Sequence, residues 1–402
     1  MPNEISATQL EMMRAGARNA VRNCMAVSGH DRVFVISDDE TQAIGRLLYE
    51  AALETGAPAT LHLLEEYGER PIVERQLGPE HGVAAEAPGR SEGAGAERQE
   101  EAQSVREASG STAVPARLRG QLASFQPTVT LYAAASRPGE LPFRMELRGL
   151  LLQEFHVRHG HMPGITPRLM LEGMRADYDA VANITQRVYD IVRVARSIGV
   201  TTPDGTDLTA EFDPALRWVP CTGKYSLPGQ WGNLPEGETF TCPRTVDGTM
   251  VVHLLGDYFS AKYGVLPRPL AITIRGGLAT DVEELASEYR SGAAVGGTKG
   301  AGRAIADELQ AYLDSTPNGR RAGEFAIGTN VSLSALSGNL LQDEKIPGLH
   351  IAFGDPYPAE TGARWTSKVH VDAIATDCTI MVDGQALMRD GQFVDGAIRS
   401  RP

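Results

Sequence analysis

Glu324, Glu344, His350, His370 and Asp372 fall within residues 323–372, a stretch dominated by apolar and glycine-rich backbone. Glu324 lies in Gly-Glu-Phe-Ala-Ile-Gly. Glu344 and His350 lie in Asp-Glu-Lys-Ile-Pro-Gly-Leu-His-Ile-Ala-Phe-Gly-Asp-Pro-Tyr, and His370 and Asp372 in Val-His-Val-Asp. Carboxylates in buried strands are costly unless something neutralises them. A divalent metal ion is the commonest such partner for a mixed Glu/His/Asp set. His370 and Asp372 are separated by one residue, so in a strand they share a face while Val369 and Val371 point into the core. Each position also has a plainer reading. His-x-Asp serves as a surface ion pair, His350 as a core imidazole and Glu324 as a strand-edge carboxylate. Glu344 fits a solvated loop, and Glu238, in Pro-Glu-Gly-Glu-Thr-Phe-Thr-Cys-Pro, fits an exposed turn.

The elements that must carry these residues follow from periodicity. Residues 7–29 read as an amphipathic helix, 32–37 as a buried strand, 41–55 as a helix closed by Gly56, and 59–64 as a second strand. A strand at 128–135 precedes a helix at 141–155. This strand–helix alternation predicts an α/β N-terminal domain with a Rossmann-like parallel layer. Residues 82–119 are rich in Gly, Ala, Glu, Arg and Ser and carry few large apolar side chains. They are expected to form a mobile surface insertion or frayed helix. A long helix at 178–197 ends the first half. Beyond it come β signals at 199–202, 207–212, 249–255 and 269–275, helices near 280–290 and 301–314, and a hairpin over 379–393. The expectation is two domains, 1–197 and 198–402, the second an α+β metal-binding domain.

Composition excludes several classes. The 402 residues hold 38 basic against 51 acidic side chains, a formal charge of −13, so neither nucleic acid nor an anionic membrane is an expected partner. The cysteines Cys24, Cys221, Cys242 and Cys378 have no Cys-x-x-Cys spacing, which argues against a thiolate zinc site or disulfide framework and for a cytoplasmic protein. His156, His159 and His161 read better as a polar strand–loop facing the cleft than as a second metal site. The glycine-rich stretch 292–302 with Lys299 lacks the spacing of a phosphate loop.

Taken in order, Gly-Glu-Thr-Phe-Thr-Cys-Pro, Gly-Glu-Phe-Ala-Ile-Gly, Asp-Glu-Lys…His-Ile-Ala-Phe-Gly-Asp-Pro-Tyr and Val-His-Val-Asp resemble the aminopeptidase T / aminopeptidase S family of metallopeptidases across residues 238–372. The resemblance implies that Glu238, Glu324, Glu344, His350, His370 and Asp372 hold two divalent ions, with Glu324 bridging them. It places Tyr357 at the family's active-site tyrosine. The four carboxylates would balance two divalent ions, and zinc, cobalt and manganese all tolerate such a nitrogen/oxygen set. The implied activity is release of N-terminal residues from a peptide or amino-acid conjugate with a free amine, by a homodimer. Glu360 or Asp355 is a candidate proton shuttle. The longer, more polar 82–119 stretch departs from the family.

A competing expectation is a mononuclear iron dioxygenase. His350, His370 and Asp372 alone would make a two-His-one-carboxylate triad, and ring-cleaving dihydroxypyridine dioxygenases have a similar chain pattern. That reading leaves Glu238, Glu324 and Glu344 without purpose, and it would want an imidazole at Ala326. A non-catalytic binding protein with the same fold is the third possibility.

Overall fold

The computed structural model describes residues 6–72, 114–137, 139–256, 258–285 and 301–394. Short strands separated by helices make up the first sheet. Strands β1 (Val33–Ser37), β2 (Ala59–Leu63), β3 (Val129–Ala133) and β4 (Arg158–His161) form a parallel sheet in the order β2-β1-β3-β4-β8. Both β1 and β3 are buried along their whole length, as strands covered on both faces must be. The fifth strand, β8 (Trp231–Asn233), comes from beyond residue 197 and pairs in parallel with β4, so the chain returns to this sheet after leaving it.

The remaining strands build two antiparallel layers. One has eight strands: β5 (Ser197–Thr201), β6 (Asp207–Glu211), β10 (Thr245–Val252), β12 (Leu270–Arg275), β13 (Leu278–Glu284), β17 (Thr379–Val382), β18 (Gln385–Arg389) and β19 (Gln392–Phe393). The other runs β11-β16-β15-β14-β9-β7, where β7 is Val219–Cys221, β9 Glu238–Thr241, β11 Leu254–Leu255, β14 Ala322–Gly328, β15 Gly348–Gly354 and β16 His370–Ala375. The protein is therefore mixed α/β, with one parallel and two antiparallel sheets.

Helix Tyr178–Val192 links the layers. Tyr178 and Val181 join the core beneath the parallel sheet, whereas Val188 and Val192 join the core between the antiparallel sheets. Asp177 caps it by accepting from the Asp179 and Ala180 amides.

Three expected elements differ. The helix expected near 280–290 is, over its described part, the strand β13. Gly276 and Gly277 both take positive φ (55° and 78°), which turns the chain back onto β12, and a register shift opposite Thr273/Ile274 lets both Ala279 and Val282 reach the core. Residues 286–290 lie outside the described residues. The opening helix is α-helical only over Ala7–Arg18 and continues as a π-turn over Asn19–Cys24, where the Asn19 amide donates to the carbonyls of Met174 and Ala176, both at 2.8 Å. Of the expected insertion, 82–113 lie outside the described residues, and Ala116–Phe125 is a helix burying Leu118 and Leu122. The glycine-rich stretch through Gly300 is likewise outside them. No helix among the described residues is long and apolar enough to cross a membrane.

A candidate metal centre on one face of the six-stranded sheet

The six-stranded sheet separates chemistry from core by simple alternation. Phe325, Ile327, Leu349, Ile351, Phe353 and Val371 are buried on one face, against the eight-stranded sheet. At about 1.5–3 kcal/mol each, they contribute on the order of 10 kcal/mol, which offsets the cost of filling the opposite face with ionisable groups. That face carries Glu324, His350, His370 and Asp372. Register brings them together: Ala326 pairs with His350, Ala352 with both Glu324 and Asp372, and Gly328 with Glu238. Small side chains at 326, 328 and 352 leave the space between the functional ones. At Gly328 a Cβ would fall 1.9 Å from the Ile346 carbonyl oxygen.

All six residues singled out from sequence meet here. Their ligand atoms gather into overlapping groups: Glu238, Glu324 and His350; Glu324, His370 and Asp372; and Glu344, His350 and Asp372, each within 4.8 Å. Glu324 joins the halves. Its Oε1 lies 3.4 Å from His350 Nε2 and its Oε2 lies 3.5 Å from His370 Nε2. His370 Nε2 is 3.6 Å from Asp372 Oδ1, and His350 Nε2 is 3.4 Å from Glu238 Oε2. The solvated readings of Glu238, Glu324 and Glu344 do not hold, since all three are buried, Glu344 at 9% exposure. Glu344 reaches the cluster from the end of the short helix Leu340–Asp343, whose cap, Asn339, accepts from the Leu341 amide.

Asp355 braces the loop that follows it and, beyond that loop, His370. Its carbonyl is 2.9 Å from His370 Nδ1, which leaves Nε2 facing the cluster, and its carboxylate accepts from the amides of Tyr357 and Ser367. Tyr357 takes a left-handed conformation (φ 49°) that stacks its ring 4.6 Å from His370 and 5.8 Å from Phe240. The cluster opens on this side, where the His370 side chain is 20% exposed against 2% for His350.

Sequence reasoning missed the floor of the site. Lys345 is fully buried, with Nζ 3.0 Å from Glu236, 2.7 Å from Glu238 and 2.8 Å from Glu344. Cys221, Glu236 and Glu238 also converge. The one available signal was the Glu-x-Glu spacing of 236 and 238. If all are ionised, five carboxylates against one ammonium leave a formal charge of −4, which two divalent ions would cancel. A buried Glu238 Oε2 without a hydrogen-bond partner fits a cation at this place.

Two solved structures share this fold. The 2,5-dihydroxypyridine dioxygenase from Pseudomonas putida KT2440 has TM-score 0.62 and 15% identity, over 96% of this chain and 98% of that one. AmpT from Thermus thermophilus has TM-score 0.59 and 18% identity, over 96% and 99%. The model of the 2,5-dihydroxypyridine 5,6-dioxygenase family matches residues 166–288. That stretch includes Glu238 and ends before the other five cluster residues. No curated protein matches the chain.

Without cations the cluster must hold protons. Burial pushes the Glu344 carboxyl up to about 8. Burial alone would lower the imidazoles, but Glu324 and Glu238 raise His350 to about 9, and Asp372 raises His370 to about 10. These groups bind protons more tightly folded than unfolded, so stability is lost as pH rises: between about 4.5 and 8 for Glu344, and from about 6.5 to 9–10 for the histidines. The metal-free protein is therefore expected to melt at lower temperature at pH 9 than at pH 6, with added divalent ion reversing the trend because binding needs the deprotonated ligands. Thermal melts with EDTA and with manganese across this range check it. A metal-free melting temperature that climbs from pH 6 to 9 would contradict it.

In the other histidine group His156 precedes β4 at positive φ (52°), while His159 and His161 are buried in the strand itself. His159 Nδ1 is 2.7 Å from Thr130 Oγ1, and the two rings meet at 3.1 Å. Burial drives His159 down to about 3, so it stays neutral. Neither ring belongs to a candidate cation group among the described residues.

Proposed function

We propose that this chain is a metal-dependent aminopeptidase that releases N-terminal residues from peptides or amino-acid conjugates with a free amine. In this reading Glu238, Glu324, Glu344, His350, His370 and Asp372 hold two divalent ions (zinc, cobalt or manganese). The observation that carries it is the disposition of Glu324, whose two oxygens face different histidines. A single-ion triad of His350, His370 and Asp372 has no use for a carboxylate placed between its imidazoles. When bound, paired ions supply a water of lowered pKa and polarise the scissile carbonyl.

The chain's own residues do the rest. The carbonyl of Asp355 holds His370 in one orientation. Lys345 holds Glu238 and Glu344 from beneath, leaving Glu238 Oε2 free toward the cluster. Burial pushes the Tyr357 phenol well above its ordinary range, so it stays protonated and can donate to oxygen charge developing on the substrate. Tyr357→Phe is expected to lower kcat by about 10²–10³-fold with metal content and KM little changed. Steady-state kinetics on a dipeptide check it, and an unchanged kcat would remove Tyr357 from this role.

The second reading, a ring-cleaving dioxygenase with one ferrous ion, draws on the family match at residues 166–288 and the shared fold. Metal analysis separates the two. The peptidase reading expects two ions per chain and hydrolysis of free-amine dipeptides. One ferrous ion per chain with oxygen uptake on a dihydroxypyridine would replace it.

A further inference from the structure

Helix Leu141–Gln153 carries two arginines that no ion pair among the described residues accounts for. Arg144 and Arg148 are four residues apart on helix Leu141–Gln153 and therefore share a face. Like charges at this spacing cost a helix a few tenths of a kcal/mol, so a folding role does not explain them. No carboxylate among the described residues forms an ion pair with either guanidinium, and Arg144 Nε is buried with no hydrogen-bond partner. The guanidinium carbon of Arg148 lies 3.8 Å from the ring centroid of Trp231, which fixes its plane. Its other polar contact is with the Met145 sulfur at 3.3 Å.

Chain connectivity points this pair toward the cluster. Trp231 is in β8, and the chain from β8 runs directly into Glu236 and Glu238. Tyr357 and Glu360 lie within electrostatic reach of Arg148, and Tyr357 stacks on His370 at the open side of the cluster. Glu360 forms no ion pair with Arg148. His161 lies within electrostatic reach of both arginines, and burial keeps it neutral, so it adds no charge beside them.

We infer that Arg144 and Arg148 form a carboxylate-binding subsite opposite the cluster, selecting substrates with a free carboxylate on the leaving-group side of the scissile bond. A planar guanidinium pre-oriented on an aromatic ring suits bidentate carboxylate capture, which an ammonium does not reproduce. The preferred substrates would then be dipeptides and amino-acid conjugates ending in a carboxylate, rather than the N-termini of long chains. This inference rests on the hydrolase reading for the word substrate, but the subsite itself does not require turnover.

The test compares Leu-Gly with Leu-Gly-amide in two assays on the full chain. Calorimetry on EDTA-treated protein, without turnover, is expected to show Leu-Gly bound about tenfold or more tightly than its amide. That preference should be lost in Arg148→Met and weakened in Arg148→Lys. Hydrolysis by the manganese-loaded protein should show the same split in KM, with Arg148→Met raising KM for Leu-Gly toward that of the amide. Because Arg148 has no ion-pair partner to abandon, the variant should melt no lower than the parent, and circular dichroism checks that it is folded. Equal binding of acid and amide, no uptake of either at millimolar concentration, or a preference that survives both Arg148→Met and Arg144→Met would overturn the subsite. Discrimination in calorimetry without hydrolysis under any metal would leave the subsite standing and sink the hydrolase reading instead.

Discussion

Glu324→Ala is expected to empty the centre and end hydrolysis together. The side chain is buried among His350, His370, Glu238 and Asp372, and each of its oxygens serves a different half of the cluster. Its removal would leave the halves unconnected and take one of the shared negative charges. We expect bound metal to fall below one ion per chain and kcat/KM to drop by more than about 10³-fold, beyond what loss of a single transition-state donor costs. Glu324→Gln isolates charge from shape: it keeps the volume, and should bind metal almost as poorly. Elemental analysis after gel filtration, with hydrolysis of a free-amine dipeptide, reads both quantities. Full metal loading with retained turnover in either variant would refute a bridging role.

Lys345→Met should have the largest effect on stability. The ammonium is buried among Glu236, Glu238 and Glu344, and those three lie close enough to repel one another once it is gone. Burial and Glu238 already raise Glu236 to about 7 even though Lys345 holds it down, which indicates how poorly the pocket tolerates more negative charge. Removing one partner of a buried ionic group leaves uncompensated charge, at a cost of about 3–5 kcal/mol. Chemical denaturation of EDTA-treated protein measures it. The double variant Lys345→Met, Glu236→Gln should recover part of the loss, because it removes one of the stranded charges. A single-variant loss below about 1 kcal/mol would mean that Lys345 is not the counter-ion of this floor.

Glu324 and Lys345 belong to different layers of one site. Glu324 belongs to a strand whose opposite face is hydrophobic core, so position and burial come with the sheet. Lys345 belongs to the turn between helix Leu340–Asp343 and β15, and is placed by what surrounds it. The turn is itself anchored: Asp343 accepts from the amides of Ser337 and Gly338, and Gln342 Oε1 accepts from the Gly173 amide, far away in the chain.

Much of the site was legible because alternation is a local property. Val-His-Val-Asp can only set His370 and Asp372 on one side of a strand, and His350 with Ala352 follows the same rule. The apolar residues between them announced which side was core. Alternation marked the strand settings of His350, His370 and Asp372, whereas the full set of six, with Glu238, Glu324 and Glu344, came from the resemblance to a metallopeptidase family. Also legible were β1, β2 and β3 of the parallel layer, whose mostly apolar runs are broken by helices of standard length.

Depth and neighbourhood were not legible, because they depend on pairing between segments far apart in the chain. Gln-Asp-Glu-Lys looks like solvated loop in isolation. It is buried because β9, β14 and β15 bring residues 238, 324 and 350 beneath it, and only there does Lys345 find three carboxylates. The acidic run Leu278–Glu284 has helix-forming composition, yet two positive-φ glycines and an open edge on β12 make it a strand. Trp231 shows the same limit: nothing near it announces a parallel partner in β4, and its place under Arg148 arises only when the chain returns to the first sheet. Residue types and periodicity select which side chains can do chemistry, while long-range strand register decides which of them share a charge balance.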